Sequence, residues 1–206
     1  MGSPTHYFAE SPDTPSRPST VRLDLPDVSL RLRTDRGVFS GARIDPGTKV
    51  LLTSVTPPPE TGDLVDLGCG YGPIALTLAA RAPGATVWAV DVNDRARELT
   101  RTNAEVAGLA NVRVARPEDV PGELAVAALW SNPPVRVGKA ALHELLTTWL
   151  DRLAPGAAAS LVVQKHLGAD SLARWLGERG WAVERRASRL GYRVIEVRRA
   201  RGNGPA

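Results

Sequence analysis

The 206-residue chain contains a single cysteine, Cys69, which excludes an internal disulfide and is typical of a protein of the cytoplasm. No apolar run approaches the roughly 20 residues that a membrane-spanning helix needs. The polar, proline-rich N-terminus does not have the pattern of a secretory signal. We therefore expect a cytoplasmic protein with no membrane association.

Lysine is also scarce, because Lys49, Lys139 and Lys165 are the only three in a chain with 26 basic residues and a net charge of +4. Arginine binds phosphate through two parallel hydrogen bonds and stacks on bases, so this excess is compatible with an RNA partner. It is equally compatible with the arginine usage of a GC-rich genome. Hydrophobic and charged contents of 43% and 23% are those of an ordinary globular protein.

The order of the elements predicts the fold. Residues 1–20 are rich in proline and form a predicted flexible arm, residues 21–60 form an N-terminal extension with a hairpin and a helix start at Asp45, and residues 201–206 form a tail. From residue 61 to 200, strands alternate with helices until two final strands that have no helix between them. This pattern predicts an α/β fold with a doubly wound, mostly parallel seven-stranded sheet and an antiparallel pair at one edge.

A glycine-rich turn follows the first of these strands, where Asp66 precedes Gly68, Cys69, Gly70 and Gly72. The third glycine comes one residue too early for the dinucleotide fingerprint, and no phosphate-binding lysine is present. S-adenosylmethionine has no pyrophosphate but needs close approach of the backbone, which glycine permits. Asp66 would accept a hydrogen bond from the amino group of this cofactor, directly or through water.

The next two strands also end in acidic residues. Asp91 ends the second strand, where its carboxylate would bind both ribose hydroxyls, and Val92 would pack on the adenine; the alternative for Asp91 is an N-cap of the following helix. Glu118 and Asp119 follow the third strand, and one of them would line the adenine pocket.

Asn132 and Pro133, in the run Ser131-Asn132-Pro133-Pro134, follow the fourth strand. An exocyclic amine on a base is a poor nucleophile, since its lone pair is delocalised into the ring. The side-chain oxygen of Asn132 and the carbonyl of Pro133 would accept its two N–H groups and direct its lone pair at a methyl group. This chemistry requires no metal. The alternative is a structural Asn-Pro turn.

With these motifs, the chain resembles the class I S-adenosylmethionine-dependent methyltransferases, and more closely the short single-domain form of the ribosomal small-subunit RNA guanine-N2 methyltransferases. The matching segments lie at residues 6–8, 37–40, 44–48, 66–74, 91–93, 131–139 and 164–165. The resemblance implies that Asp66, Gly68, Gly70 and Asp91 bind the cofactor and that Asn132 and Pro133 face the target amine. It also favours Glu118 over Asp119 at the adenine.

Other positions are candidates for substrate contacts. Many amino-methyltransferases have an aromatic residue after the two prolines, to stack on the target base, whereas this chain has Val135. Phe39 or Tyr7 would then stack instead, and Phe39 would alternatively close over the cofactor or anchor the extension. Arg136, Lys139 and Lys165 are predicted to hold RNA phosphates.

The sequence leaves three functions open. The first is methylation of a guanine N2 in small-subunit ribosomal RNA, with the RNA or the small ribosomal subunit as partner. The second is methylation of a protein glutamine amide or a DNA adenine amine through the same Asn132-Pro133-Pro134 run. The third is a non-catalytic module that binds cofactor or RNA. The oligomeric state has no signal in the sequence.

Overall fold

The computed structural model describes residues 14–200, except for the side chain of Arg136. A central seven-stranded sheet has the strand order β5-β4-β3-β6-β7-β9-β8. Its strands are β3 (Gly62–Leu67), β4 (Ala85–Val90), β5 (Val112–Ala115), β6 (Val126–Ser131), β7 (Leu153–Gln164), β8 (Trp181–Arg189) and β9 (Tyr192–Arg199). Neighbours from β5 to β7 are parallel, whereas β9 is antiparallel to both β7 and β8. The predicted fold is confirmed.

Within residues 14–200, five α-helices cover the two faces of the sheet. They are α1 (Pro46–Ser54), α2 (Pro73–Arg81), α3 (Asp94–Val106), α4 (Lys139–Leu150) and α5 (Ala169–Glu178). Successive residues of β3 point to opposite faces, so that Leu64 is buried in a cluster with α1 and α2, and Val65 in a cluster with α4 and α5. Each face thus has its own apolar core, and the sheet is hidden between them.

A separate two-stranded hairpin, β1 (Ser19–Asp24) and β2 (Ser29–Thr34), precedes the main sheet. Its inward residues Leu23 and Leu32 are fully buried in the same core as α2. The Asn103 side chain, on α3, donates to the carbonyls of Arg33 and Tyr71, each at 2.9 Å. One side chain therefore joins the hairpin to the turn after β3.

The sequence predicts helices over residues 73–81 and 139–153 and strands over residues 112–115 and 158–164, and some of these bounds differ from the observed ones. The strand β7 begins at Leu153 rather than at 158, because Leu153 pairs with Val126 across an irregularity in β6, although Pro155 and Gly156 have the composition of a turn. For the same reason α4 ends at Leu150 and not at 153. Residues 1–13 and 201–206 lie outside the described residues, so most of the predicted arm and the whole predicted tail do too. The division into arm, extension, main domain and tail stays a prediction.

The connectivity places a ligand site at one edge of the sheet. β4 lies on one side of β3 and β6 on the other, so the chain reverses its winding direction at the carboxyl end of β3. In sheets of this kind, the crevice outside that point binds ligands. Within residues 14–200, no helix is long and apolar enough to cross a membrane.

Candidate active site

Two cavities meet at the carboxyl ends of β3, β4 and β6. The larger one, of about 300 Å³, lies between these strand ends and α4, and its wall includes Asp91, Val92 and Pro117. The narrower one lies between the glycine turn and α1, and its wall includes Phe39 and Asp45. Gly68 and Asn132 line both cavities, so the two cavities are adjacent at these residues and together form the cleft of the candidate site.

The turn after β3 is held open by its glycines. Gly68 and Gly70 have φ angles of +78° and +58°, which residues with side chains rarely adopt, and a Cβ at either position would meet no atom within 4 Å. The amide of Gly68 donates to the Val90 carbonyl at 2.8 Å, which fixes the turn against β4. The backbone is therefore bare at the place where the two cavities are adjacent.

Gly72 has a different role from its two neighbours. It lines neither cavity, and a Cβ there would lie 2.6 Å from Cδ1 of Leu76 and 3.1 Å from Cγ2 of Thr100. The structure therefore explains this glycine by the close approach of the α2 N-terminus to Thr100 of α3 and to the Leu76 side chain. Cys69 does line the narrow cavity, but burial raises the pKa of its thiol well above the usual value, which favours the protonated thiol over the thiolate.

Asp91 presents a fixed carboxylate to the larger cavity. Its Oδ2 accepts from the Gly70 amide and its Oδ1 from the Asn93 amide, each at 2.9 Å. The alternative role as an N-cap of α3 does not apply, since the Asn93 side chain caps that helix by accepting from the Ala96 amide. Burial is the main cause of the raised pKa of Asp91. The carboxylate is thus partly desolvated, with lone pairs left for a hydroxyl donor.

Asp66 lies beneath this turn and is fully buried. Its Oδ2 accepts from the Ala75 amide at 2.9 Å, whereas its Oδ1 has no partner among the described residues. Burial raises the pKa of Asp66 to about 8, and the negative charge of Asp91 adds to this shift. Asp66 lines neither cavity, so its predicted contact with a cofactor stays a prediction, best suited to the water-mediated form.

The orientation of Asn132 is set by residues far away in the chain. Its Nδ2 donates to Oδ2 of Asp45 at 3.0 Å and to Oγ1 of Thr48 at 3.2 Å. Because a carboxylate only accepts hydrogen bonds, the atom facing Asp45 is the amide nitrogen. Asp45 and Thr48 thus bind both hydrogens of the Asn132 amide, and its Oδ1 is left as an acceptor for the cleft.

Asp45 is itself the centre of a network. It caps α1 by accepting from the Thr48 amide at 3.0 Å, and its Oδ1 accepts from the Tyr192 hydroxyl at 3.2 Å. The Gln164 side chain donates to that hydroxyl at 2.9 Å. In the sequence, Asp45 is recognisable as part of a helix start and of the matching segment 44–48, whereas Tyr192 has no recognisable role. The Asp-Pro-Gly-Thr run is the one local signal, and it does not indicate contacts with residues 87 and 147 positions away.

Pro133 and the residues after it form a tight turn. The Pro133 carbonyl accepts from the Val135 amide at 2.8 Å, which leaves one lone pair for a substrate. Pro133 lines neither cavity, whereas Pro134 lines the larger one. Val135 packs against the core on the α4 side. It therefore does not take the position of a stacking aromatic residue.

The other predicted contacts lie around the rim. Phe39 lines the narrow cavity together with Asn132 and is 40% exposed, an arrangement that suits stacking. Glu118 is exposed beside the cavity residue Pro117, whereas Asp119 lines a different groove, between α3 and β5. This placement agrees with the preference for Glu118. The role of each of these residues remains a proposal.

The predicted phosphate ligands follow β6 and β7. Lys139 is exposed at the first turn of α4, and Lys165 is exposed directly after β7, where its amide donates to the Gly191 carbonyl at 2.8 Å. The side chain of Arg136 and the candidate Tyr7 lie outside the described residues. The described part of the chain has no cluster of side chains that would hold a metal ion, and none was predicted.

The residues present fit S-adenosylmethionine. The bare Gly68-Gly70 backbone leaves space that a Cβ would occupy, Asp91 offers a carboxylate at the larger cavity, and Val92 remains 38% exposed beside it. The Oδ1 atom of buried Asp66, which has no partner among residues 14–200, adds a polar atom below the turn. An apolar pocket with a few convergent polar groups is the usual form of a small-molecule site.

Comparison with known proteins agrees with this geometry. Residues 29–196 match the family model "Methyltransferase small domain". The chain is 33% identical over 197 residues to the uncharacterized protein YbxB of Bacillus subtilis, covering 94% of this chain and 98% of YbxB. It is also 33% identical over 196 residues to ribosomal RNA small subunit methyltransferase C of Ectopseudomonas mendocina, covering 92% of this chain and 57% of that protein.

A solved structure has the same fold. The 16S rRNA N2 G1207 methyltransferase RsmC of T. Thermophilus, in complex with AdoMet and guanosine, superposes with a TM-score of 0.73 at 23% identity. The match covers 92% of this chain and 52% of that one, so this chain spans about half the length of the ribosomal RNA methyltransferases. The chain belongs to the methyltransferase small domain family, and the prediction of an S-adenosylmethionine-dependent methyltransferase is confirmed.

Proposed function

We propose that the protein methylates the exocyclic N2 of a guanine in small-subunit ribosomal RNA, in the cytoplasm. The observation that carries this proposal is the fixed Asn132 amide, whose Oδ1 is left for the cleft at a residue that lines both cavities, as Gly68 does. The relatives support the substrate: proteins named ribosomal RNA small subunit methyltransferase C match at 29–36% identity, and the structural neighbour was solved with guanosine.

S-adenosylmethionine, when bound, supplies a methyl group on a sulfonium centre. The side chains that would hold it are Asp91 and, below the turn, Asp66, with the backbone at Gly68 and Gly70 leaving room. The chain's own contribution is to exclude water from an apolar cavity and to fix the position of the acceptors.

Asn132 and Pro133 would hold the target amine. The Oδ1 of Asn132 accepts one N–H group, and the free lone pair of the Pro133 carbonyl is the acceptor available for the other. With both N–H groups bound, the nitrogen lone pair points away from the acceptors. As positive charge develops on this nitrogen, the same two oxygens stabilise it. Phe39 would stack on the base, since Val135 is packed in the core.

Methyl transfer from radiolabelled cofactor tests this proposal. The purified protein is incubated with naked ribosomal RNA, assembled small subunits, large subunits, DNA or a protein extract, and the labelled product is digested and identified. We expect label in one guanine of the small-subunit RNA. Label in the large subunit, in adenine or in glutamine would replace the proposed substrate, and binding of cofactor without any transfer would indicate a non-catalytic module.

Asn132→Ala separates chemistry from binding. It should abolish transfer while the dissociation constant for the cofactor, measured by calorimetry, changes little, because the cofactor contacts of Asp91 and the glycine turn are kept. Asn111→Ala is the matched control, since its side chain bonds three carbonyls remote from the cleft. That control is expected to lower stability but not the turnover of folded enzyme.

A further inference from the structure

A second groove lies beside the cleft, next to the segment that contains Asp45. Its volume is about 470 Å³, and it is formed by β1, the segment before and within the first turn of α1, and the turn between β8 and β9. Ile44 and Pro46 line it, and these residues flank Asp45, which lines the narrow cavity of the active site. The groove and the narrow cavity are therefore lined by consecutive residues of one segment, and Asp45 in that segment orients Asn132.

The groove is cationic. Arg22, Arg43 and Lys49 line it, and none of its lining residues is acidic. Arg22 pairs with Asp24 at 2.8 Å, just outside the groove. Arg43 and Lys49 are exposed and form no ion pair among the described residues. Two basic side chains are thus available for an anionic partner at a short distance from the active site.

An exposed leucine stands at one end of this groove. Leu190 is 78% exposed, the most of any large apolar side chain in the described chain. It has a φ of +50°, and Gly191 follows with +78°, the pattern of a hairpin turn that favours Asn-Gly. Leucine is unfavourable there both for its backbone conformation and for its exposure, so local stability does not explain its presence.

The turn is rigidly connected to the catalytic machinery. Leu190 comes two residues before Tyr192, whose hydroxyl donates to Asp45, and the Gly191 carbonyl accepts from the amide of Lys165. These hydrogen bonds connect the backbone of the turn to Asp45 and to Lys165, and Leu190 lines the groove together with Arg43 and Lys49.

We propose that this groove holds the RNA strand that carries the target guanine, with phosphates on Arg43 and Lys49, and that Leu190 packs against the bases left unstacked when the guanine enters the cleft. Proteins that kink or unstack nucleic acids commonly use an apolar wedge of this kind. A base must leave its stack before it reaches an enclosed site, and a wedge compensates part of that energy. This inference rests on the proposed RNA substrate.

The phosphate contacts are tested by the salt dependence of RNA binding. A short fluorescein-labelled guanine-containing RNA hairpin is titrated at several salt concentrations, and the slope of log Kd against log salt is measured. Arg43→Gln and Lys49→Gln should each reduce the slope by about 1. Arg113→Gln, in the remote groove between α3 and β5, is the control and should leave it unchanged. An unchanged slope for both groove variants would overturn the phosphate assignment.

The wedge is tested with Leu190→Asn, which suits the left-handed conformation and so keeps or raises the melting temperature. We expect the transfer rate to fall roughly 10-fold on structured RNA but to be unchanged on a single strand with the same guanine, where little stacking is lost. Val106→Asn, an exposed valine that is 69% accessible on α3, is the control. If Leu190→Asn matched the rate of the unmodified protein on both substrates, or lost the same factor on both, the wedge role of Leu190 would be refuted.

The same experiments distinguish failure of the proposed function from failure of the groove inference. If the unmodified protein methylates no guanine in either RNA, the proposed function fails, and the salt slopes still report whether the groove binds RNA. If it methylates guanine and the Leu190 and groove variants behave as the controls do, the function stands and the groove inference falls.

Discussion

The amide nitrogen of Asn132 lies 3.0 Å from the carboxylate of Asp45, although 87 positions separate them in the chain. The carboxylate of Asp45 accepts a hydrogen bond from the Asn132 amide nitrogen. This hydrogen bond polarises the amide and increases the negative partial charge on its oxygen. That oxygen is the one that we propose accepts from the target amine. On this proposal Asp45 acts on the reaction through Asn132, as a positioning residue.

Asp45→Asn should lower kcat by roughly 10- to 100-fold, because a single amide oxygen cannot accept from Asn132, Thr48 and Tyr192 as the two carboxylate oxygens do. Asparagine is as good an N-cap as aspartate, so α1 should be kept. The measurement is steady-state methyl transfer, together with calorimetry to show that the cofactor still binds.

The control for this charge removal is Asp151→Asn, at an exposed position after α4. It should leave kcat unchanged. If Asp45→Asn turned over as fast as the unmodified protein, the orienting role of Asp45 would be wrong.

Gly70→Ala and Gly72→Ala should fail in different ways. At Gly70 the new Cβ meets no atom within 4 Å, so the loss of stability is limited to the left-handed backbone, about 1–2 kcal/mol, and the main effect is weaker cofactor binding. At Gly72 the Cβ would come within 2.6 Å of the buried Leu76 side chain, so a larger loss of several kcal/mol is expected. Urea unfolding and calorimetry distinguish the two; the reverse order would contradict the packing role of Gly72.

The raised pKa of Asp66 predicts how stability changes with pH. Between pH 3.8 and about 8 the folded protein holds this proton and the unfolded chain does not, so the free energy of unfolding falls as the pH rises through this window. One proton contributes at most about 1.4 kcal/mol per pH unit. Asp66→Asn removes this contribution, so its stability relative to the unmodified protein should rise with pH and level off above 8. Urea titrations at several pH values give this difference, and a constant difference would contradict the shift.

The same proton couples to the cofactor. S-adenosylmethionine carries sulfonium and ammonium charges and one carboxylate. Its ammonium group, which is predicted to contact Asp66 directly or through water, would favour the ionised form of Asp66 and lower its pKa. Binding below pH 8 should therefore release protons, and the affinity should increase with pH in that range. Calorimetry in buffers with different ionisation enthalpies measures the proton count. The release should be smaller in Asp66→Asn, and uptake of protons by the unmodified protein would contradict this assignment.

Local patterns predicted most of the fold. The bounds of α2 and β5 agree with the sequence prediction. The glycine turn and the proline at the helix start mark the beginning of α2, and a short β-branched run marks β5. The start of β7 was wrong because proline and glycine within a strand resemble a turn, and only pairing with the neighbouring strand corrects this.

The site was predictable as far as it depends on strand ends. Asp91, Gly68 and Asn132 come together because parallel strands finish at the same edge. Tyr192 and Asp45 were not predictable in their roles, because β9 runs antiparallel and brings its first residue back to that edge from the end of the domain. A tyrosine at a strand start has no local feature that distinguishes it from a core residue.

The position of Gly68 and Asn132 in the lining of both cavities also has a practical consequence. Since the two cavities are adjacent at these residues, a compound that tethers a purine amine to an adenosine analogue through a short linker is designed to occupy both at once. Such a bisubstrate inhibitor would gain affinity from each half without the entropic cost of capturing two separate molecules.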